Sequence, residues 1–282
     1  MSNIDLSECV DLHVHSTHSD GTYSVSELVA YAKEKGLKAI ALTDHDTVSG
    51  VEEALAEGEK QGIIVIPGIE ISCGNGSGEI HMLGLNIDHK SPVFNEFIIA
   101  CKESREQRNR RMADKLCQIG MEVNYDELLV KYQSSTVTRA HFARYLHEAG
   151  YVKSKNEAFD RFLGDGKPAY LTRERITPKD AIDMINAAGG HPVLAHPLLY
   201  KMGKDRLESL FDYLKGMGLE GVEALYSLNT KSDDERLIKM AKNHGLFITG
   251  GSDFHGSNKP DIDLGVGKGN LRVPAEVLEN IM

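Results

Sequence analysis

The sequence lacks the features that mark membrane proteins and secreted proteins. It has no run of about 18 apolar residues, which is the length that a membrane-spanning helix needs. Residues 1–5 carry neither a basic cluster nor an apolar stretch, so we expect no signal peptide and no membrane association. The four cysteines show no Cys-x-x-Cys spacing, which indicates reduced thiols and a cytoplasmic location.

An excess of positive charge is also missing. The formal net charge is −10, from 32 Lys and Arg residues against 42 Asp and Glu residues. Proteins that coat duplex DNA are usually basic, so we do not expect that function. An anionic substrate is still compatible with this balance, because bound divalent metals can reverse the sign of the charge inside one pocket.

The chain does contain a regular alternation of short apolar runs and helical patterns. The predicted strands are residues 9–15, 38–43, 63–67, 79–86, 191–195, 221–226 and 246–249. Ser24 with Glu27, and Ser49 with Glu52, match the capping-box pattern at the start of the first two helices. Repeated strand–helix units predict an α/β fold with a parallel sheet or a barrel.

This alternation stops between about residues 95 and 176, where the pattern is helical and highly charged. We therefore expect a helical insertion, residues 96–175, that acts as a lid over the substrate. Residues 1–95 and 176–282 would together form the metal-binding barrel.

Histidines and acids recur where the predicted strands end. His13 and His15 alternate along the first strand, so both side chains point to one side. The candidate metal ligands are His13, His15, Asp20, His45, Glu70, His81, His196, Asp253 and His255. Chemistry in parallel α/β folds collects at the carboxyl ends of strands. Nine ligands exceed the needs of one tetrahedral ion, so we expect two or three clustered ions with Glu70 as a bridge.

Each candidate also has a plainer interpretation when it is taken alone. His81 could be a satisfied core histidine, His196 a loop residue and Asp253 a turn cap. Asp44 and Asp46 flank His45 and could either orient its ring or cap a turn. The position shared by the nine candidates favours a metal cluster over nine separate structural roles.

The motifs around these residues resemble those of the PHP (polymerase and histidinol phosphatase) family. They are Asp11-x-His13-x-His15-Ser16, Ser19-Asp20-Gly21, Thr43-Asp44-His45-Asp46-Thr47, Gly68-Ile69-Glu70-Ile71-Ser72, His81-Met82-Leu83-Gly84, Ala195-His196-Pro197 and Gly251-Ser252-Asp253-x-His255-Gly256. The resemblance implies a distorted (βα)₇ barrel and a phosphoesterase site with two or three divalent metals. Manganese is the first expectation, and iron and zinc are the alternatives.

Segments 135–142 and 166–170 resemble one branch of that family, the nucleoside 3′,5′-bisphosphate phosphatases and RNase AM-type 5′→3′ exoribonucleases. This resemblance implies hydrolysis of the 3′-phosphate ester of nucleoside bisphosphates, and of short 5′-phosphorylated oligoribonucleotides from the 5′ end. The partner would be a phosphorylated nucleotide or a short oligonucleotide end. The residues that it places near the substrate are Asp20, His45, Thr138, Arg139 and His141.

Under this interpretation the nine ligands divide among three ions. The expected ligands of the first are His13, His15, Glu70 and Asp253. Those of the second are Glu70, His81 and His196. Those of the third, which would face the phosphoryl group, are Asp20, His45 and His255. The expected catalytic residues are Glu70, as the bridge, and His196 or His255, as the acid that protonates the leaving oxygen.

Two other functions are compatible with the same motifs. The first is a histidinol-phosphate-type phosphatase, which needs no site for a second phosphate. The second is a metal-binding PHP module without activity, which would stabilise an assembly or bind a partner.

Overall fold

The computed structural model describes residues 6–75, 78–133, 135–172 and 176–282. Seven strands within these residues lie side by side in chain order and form a nearly closed barrel. They are β1 (Val10–Val14), β2 (Ala39–Leu42), β3 (Ile64–Asn75), β4 (Gly78–Leu85), β5 (His191–Leu194), β6 (Gly221–Tyr226) and β7 (Phe247–Gly251). The first and last strands meet where the Asp253 N–H donates to the His13 carbonyl at 2.8 Å. The expected α/β barrel of the seven-stranded type is confirmed.

Helices surround the barrel and build the insertion. The α-helices are α1 (Val25–Glu34), α2 (Val51–Gln61), α3 (Pro92–Gln118), α4 (Tyr125–Lys131), α5 (Arg139–Glu148), α6 (Lys155–Ala158), α7 (Pro178–Ala187), α8 (Lys204–Gly216) and α9 (Lys231–Asn243). A π-helical turn spans Phe159–Leu163, and 3-10 turns span Pro197–Tyr200, Gly256–Asn258 and Ala275–Asn280. None of the helices in the described ranges is long and apolar enough to cross a membrane.

One of the two predicted capping boxes is present. Ser24 and Glu27 exchange the expected hydrogen bonds at the start of α1. The prediction for Ser49 and Glu52 is wrong, because α2 begins after Gly50 without a side-chain cap. The Ser49 hydroxyl instead forms a hydrogen bond with His18 Nδ1 at 2.8 Å.

Strand β4 runs antiparallel to both of its neighbours, whereas the other neighbouring pairs are parallel. The long β3–β4 hairpin changes two expectations. Strand β3 continues to Asn75, so Glu70 lies inside the strand, paired with Leu83, and not after it. His81 lies in the first half of β4, and it reaches the shared barrel end because β4 starts where the parallel strands finish.

The insertion has its own buried apolar cluster, to which Met112, Leu128 and Phe142 belong. Helix α3 joins it to the barrel, because Phe94 and Ile98 near its start pack into a barrel cluster. The division into 1–95, 96–175 and 176–282 stays a prediction, and its boundary at 175 lies outside the described residues.

Hydrogen bonds fix the insertion to the loop after β1. The Thr136 N–H donates to the His18 carbonyl at 2.8 Å. The Ser135 hydroxyl donates to the Thr17 carbonyl at 2.5 Å. These contacts place the start of α5 beside the strand ends that carry the candidate ligands.

Gly251 lies where β7 crowds β1, which gives a test of this packing. A Cβ at Gly251 would clash with the His13 side chain and would lie 2.6 Å from the His13 backbone nitrogen. Gly251→Ala is therefore expected to lower the free energy of unfolding by about 1–3 kcal/mol, measured by urea denaturation.

Gly216→Ala is the matched control, because a Cβ at this end of α8 meets nothing within 4 Å. Its free energy of unfolding should be unchanged or higher by up to about 1 kcal/mol. Wild-type stability in Gly251→Ala would contradict the close approach of β7 to β1.

Candidate metal centre

The structure brings all nine candidate ligands together at one end of the barrel. Eight of them are buried, and the ninth, His81, has a side chain that is 16% exposed. They come from both ends of the sequence because the strands that carry them stand side by side in the closed barrel. A buried set of imidazoles and carboxylates of this size needs a compensating partner.

Glu70 lies at the centre of the set, with histidines at both of its oxygens. Its Oε1 lies 2.7 Å from His81 Nδ1 and 3.0 Å from His196 Nε2. Three further ring nitrogens, at 3.0, 3.2 and 3.3 Å from Oε2, belong to His45, His15 and His13. A carboxylate with separate ligand sets at its two oxygens is suited to bridge two ions.

The ligand atoms form overlapping groups in which all members lie within 4.8 Å of one another. These groups are His15 with Asp20, His45 and His255; His13 with His15 and Asp253; His13 with Glu70 and His196; and His45 with Glu70 and His81. The first group contains the expected ligands of the third ion, with His15 added. The division of individual ligands among ions stays a prediction.

Unpaired buried atoms test whether these residues fit a metal. Within the described ranges, no well-aligned hydrogen bond is made by His13 Nε2, His15 Nε2, His45 Nδ1, His196 Nδ1 or Asp20 Oδ1, although the first three lie 3.0–3.3 Å from Glu70 Oε2 and Asp20 Oδ1 lies 3.1 Å from His255 Nε2. A buried polar atom without a partner is costly and uncommon. Five such atoms in one cluster, all of types that bind divalent metals, show that the donor set fits metal ions.

Opposite charges shift the pKa values of the cluster. Burial lowers the pKa of a histidine, but the carboxylates beside His15 and His81 outweigh burial and raise both pKa values to about 9. Burial dominates at His45 and lowers its pKa to about 3. Without metal, His15 and His81 therefore hold protons at neutral pH. Metal binding must release these protons, so the apparent metal affinity falls as the pH falls.

A cavity of about 360 Å³ opens onto the cluster, and four of the five expected substrate residues line it, namely Asp20, His45, Thr138 and Arg139. The Thr138 hydroxyl donates to Asp20 Oδ2 at 2.7 Å, and Arg139 donates to Glu79 Oε1 at 2.9 Å. His141 is buried at the start of α5, where its Nδ1 accepts a hydrogen bond from the Thr138 N–H. The substrate contacts of these residues stay predictions.

Comparison with known proteins identifies the family. The family model described as the PHP domain matches residues 11–220. This chain belongs to the PHP domain family. The resemblance in the sequence motifs is thereby confirmed.

Two curated relatives match nearly the full PHP chain. A 5′-3′ exoribonuclease of Haemophilus influenzae is 40% identical over 245 residues, which cover 87% of this chain and 89% of the relative. A 3′,5′-nucleoside bisphosphate phosphatase of Chromobacterium violaceum is 33% identical over 257 residues, 91% of this chain and 90% of the relative. A solved structure of an amidohydrolase from Chromobacterium violaceum, with sulfate and no metal, covers 97% of both chains at 31% identity and a TM-score of 0.85.

Glu223 is a functional candidate that the sequence reasoning missed. It is fully buried on β6 and accepts hydrogen bonds from His13 Nδ1 at 2.9 Å and from the His196 N–H at 2.7 Å. One carboxylate thus orients the ring of one candidate ligand and the backbone of another, which has a φ of 28°. Its signal was a lone acid within the apolar run of Gly221–Tyr226.

Other supports hold the acidic ligands and the loops beside them. Asp253 Oδ2 accepts from the Tyr226 hydroxyl at 2.7 Å and from Lys259 Nζ at 2.6 Å. Asp44 accepts from the Ser16 N–H at 2.8 Å and the Ser16 hydroxyl at 2.6 Å, so it holds the loop after β1. Asp46, with a φ of 50°, forms an ion pair with Arg105 on α3 at 2.5 Å.

Glu223→Gln should weaken metal binding. Glu223 accepts one hydrogen bond at each of its two oxygens. A glutamine has a single side-chain oxygen that can accept one of them, and its amide N–H₂ would face the other donor. We expect metal affinity to fall about 10–100-fold, measured by manganese titration and by metal content after dialysis.

Glu220→Gln provides the matched control, because Glu220 also bonds a histidine, His191 Nδ1 at 2.7 Å, but is partly exposed and lies away from the cluster. Its metal content should equal that of the wild type. A Glu223→Gln protein with wild-type affinity would show that Glu223 does not organise the centre.

Proposed function

We propose that this chain hydrolyses the 3′-phosphate ester of nucleoside 3′,5′-bisphosphates and shortens 5′-phosphorylated oligoribonucleotides from the 5′ end. It is a PHP phosphoesterase of the bisphosphate phosphatase and 5′→3′ exoribonuclease kind. The observation that carries the proposal is the clustering of nine candidate metal-ligand side chains, with Glu70 among them at the centre, beside a cavity. The lack of a Cys-x-x-Cys spacing fits a cytoplasmic setting.

The proposed metal ligands are those that the motifs predict. His13, His15, Glu70 and Asp253 would hold one ion, Glu70, His81 and His196 a second, and Asp20, His45 and His255 a third. Bound divalent ions supply Lewis-acid stabilisation of the phosphoryl oxygens and make water acidic enough to act as a nucleophile at neutral pH. Mixed imidazole and carboxylate ligands suit manganese, our first choice, as well as iron and zinc.

The proton for the departing 3′-oxygen is proposed to come from His196. His255 is the weaker candidate, because its Nδ1 bonds the Asp253 carbonyl at 2.8 Å, which leaves Nε2 as the nitrogen with the lone pair. His196 Nε2 lies 3.0 Å from Glu70 Oε1, and this hydrogen bond can keep a proton on Nε2. To take this role, His196 would have to be released from the second ion, to which Glu70 and His81 would stay bound.

The cavity wall supplies the other proposed contacts. Thr138 fixes Asp20 through its hydroxyl, and Arg139 presents a planar guanidinium that suits a phosphate group. Phe159 and Leu199 line the same cavity with apolar surface, against which a base of any identity can stack. This arrangement favours a nucleotide over a small phosphorylated amine.

Substrate comparison tests the proposal directly. The manganese-loaded protein is assayed with adenosine 3′,5′-bisphosphate and with histidinol phosphate, and kcat/KM should be higher for the bisphosphate. A preference for histidinol phosphate would contradict the proposal. A protein that retains metal but hydrolyses no phosphoester would support the alternative of a non-catalytic PHP module.

Arg139→Ala should raise the KM for bisphosphates about tenfold, because it removes a charge-assisted contact to phosphate. The KM for p-nitrophenyl phosphate, which has one phosphate, should change little. Arg139→Lys keeps the positive charge opposite Glu79 and separates loss of charge from loss of the planar fork. Equal effects of Arg139→Ala on both substrates would remove the proposed role.

A further inference from the structure

His13 and His81 each contact a buried carboxylate that is outside the set of nine candidate ligands. His13 Nδ1 bonds Glu223 at 2.9 Å, and His81 Nε2 lies 3.2 Å from Glu79 Oε1. The other nitrogen of each ring faces the expected bridge, because His13 Nε2 lies 3.3 Å and His81 Nδ1 lies 2.7 Å from an oxygen of Glu70. Glu79 therefore has the same relation to His81 that Glu223 has to His13.

This geometry decides which nitrogen of His81 is available to a metal ion. A metal-bound imidazole uses one ring nitrogen, and its other N–H usually donates to a carboxylate or a carbonyl that fixes the ring. In His81, Nδ1 is on the side of Glu70, so Nε2 carries the hydrogen that Glu79 accepts. The support matters most for His81, because its side chain is 16% exposed, whereas the other eight candidates are buried.

The same carboxylate also holds the insertion. Arg139 Nη2 donates to Glu79 Oε1 at 2.9 Å, so the guanidinium and the His81 ring meet at one oxygen atom. Arg139 is the first residue of α5 in the insertion, whereas Glu79 lies on β4 of the barrel. The Tyr170 ring, with its centre 5.2 Å from the guanidinium carbon, helps to hold Arg139 in place. A contact between the insertion and the barrel thus ends on the ring of a candidate ligand.

Burial makes Glu79 dependent on Arg139. The Glu79 side chain is 4% exposed, and an ionised carboxylate at that depth is costly unless a cation pairs with it. Arg139 supplies this charge from the insertion. Glu79 can therefore remain a charged acceptor beside His81 only while the start of α5 is docked on the barrel.

We propose that Glu79 is a positioning residue that links the docking of the insertion to metal binding by His81. It turns the His81 ring so that Nδ1 faces the ion that Glu70 and His196 would share, and Arg139 keeps it charged and in place. The inference rests on the proposed function through the assignment of His81 as a metal ligand, but it does not depend on the identity of the substrate. Its consequence is that this one ion is held less tightly when Glu79 loses its charge.

Glu79→Gln tests the link, because it keeps the shape of the side chain and removes the charge. Its affinity for manganese should fall about 10–100-fold, measured by titration of the metal-free protein. In crystals of the variant at limiting manganese, the anomalous density between His81 and His196 should weaken, whereas the density beside Asp253 should keep its wild-type height. Circular dichroism of the metal-free variant should match that of the wild type.

Arg139→Ala tests the link from the side of the insertion. It leaves the His81–Glu79 contact in the sequence but removes the cation that Glu79 needs. Without any substrate present, manganese affinity should fall in this variant as well, and the anomalous density between His81 and His196 should again be the part that weakens. Unchanged or higher affinity would contradict the role given to the insertion.

Rescue by metal separates positioning from a general structural defect. With p-nitrophenyl phosphate as substrate, kcat/KM of Glu79→Gln should fall about tenfold or more at limiting manganese and recover most of this loss in excess manganese. Glu148→Gln is the matched control, because Glu148 pairs with Lys131 at the other end of α5. This control should have the manganese affinity and the activity of the wild type at both concentrations.

Failure of the link differs from failure of the proposed function. Wild-type manganese affinity in a folded Glu79→Gln protein, equal weakening of all the ions, or a manganese ion bound directly by Glu79 would each overturn the link. A loss of activity that excess manganese does not restore would overturn it as well. In these cases the phosphoesterase activity of the wild type stands. A wild-type protein that binds no manganese among the nine side chains would instead refute the metal centre on which the proposed function depends.

Discussion

One buried carboxylate determines the organisation of this barrel. Glu70 is 1% exposed, and ring nitrogens of five histidines lie within 3.3 Å of its two oxygens. An ionised carboxylate is costly to bury unless it is paired and hydrogen-bonded. The histidines supply part of this compensation, but several of their nitrogens make no well-aligned hydrogen bond in the described ranges. Divalent metals would satisfy the carboxylate and these nitrogens together.

The direction of one strand and local backbone strain position His81, His196 and Asp253 in the cluster around Glu70. The antiparallel strand β4 enters the barrel at the end where the parallel strands finish, and it brings His81 to Glu70. His196 and Asp253 adopt positive φ values of 28° and 57°, which residues other than glycine rarely do. Hydrogen bonds to buried groups stabilise these strained conformations, as the bond from the His196 N–H to Glu223 does. Strained backbone of this kind is common at functional sites.

Much of the fold and the positions of the site were predictable from local patterns. Apolar runs predicted the strands. The positions of His45 and His196 just after these runs, together with the motifs around them, predicted that they are metal ligands. Two features depended on pairing between distant segments and were missed. The antiparallel direction of β4 follows from its neighbours in the barrel, and the length of β3 follows from its pairing with β4. An individual strand sequence contains neither piece of information.

Residues that support the site were harder to predict than residues that form it. Glu223 is separated from His13 by most of the chain, and only barrel closure brings them into contact. Ser49 had a suitable capping pattern, but its hydroxyl found a nearer partner in His18.

Anomalous diffraction from crystals of the manganese-loaded protein tests the central claim most directly. If Glu70 bridges a multinuclear centre, at least two manganese peaks will lie about 3.5–4 Å apart, one at ligand distance from each Glu70 oxygen. A single ion away from Glu70, or no manganese peak among the nine side chains, would contradict this account.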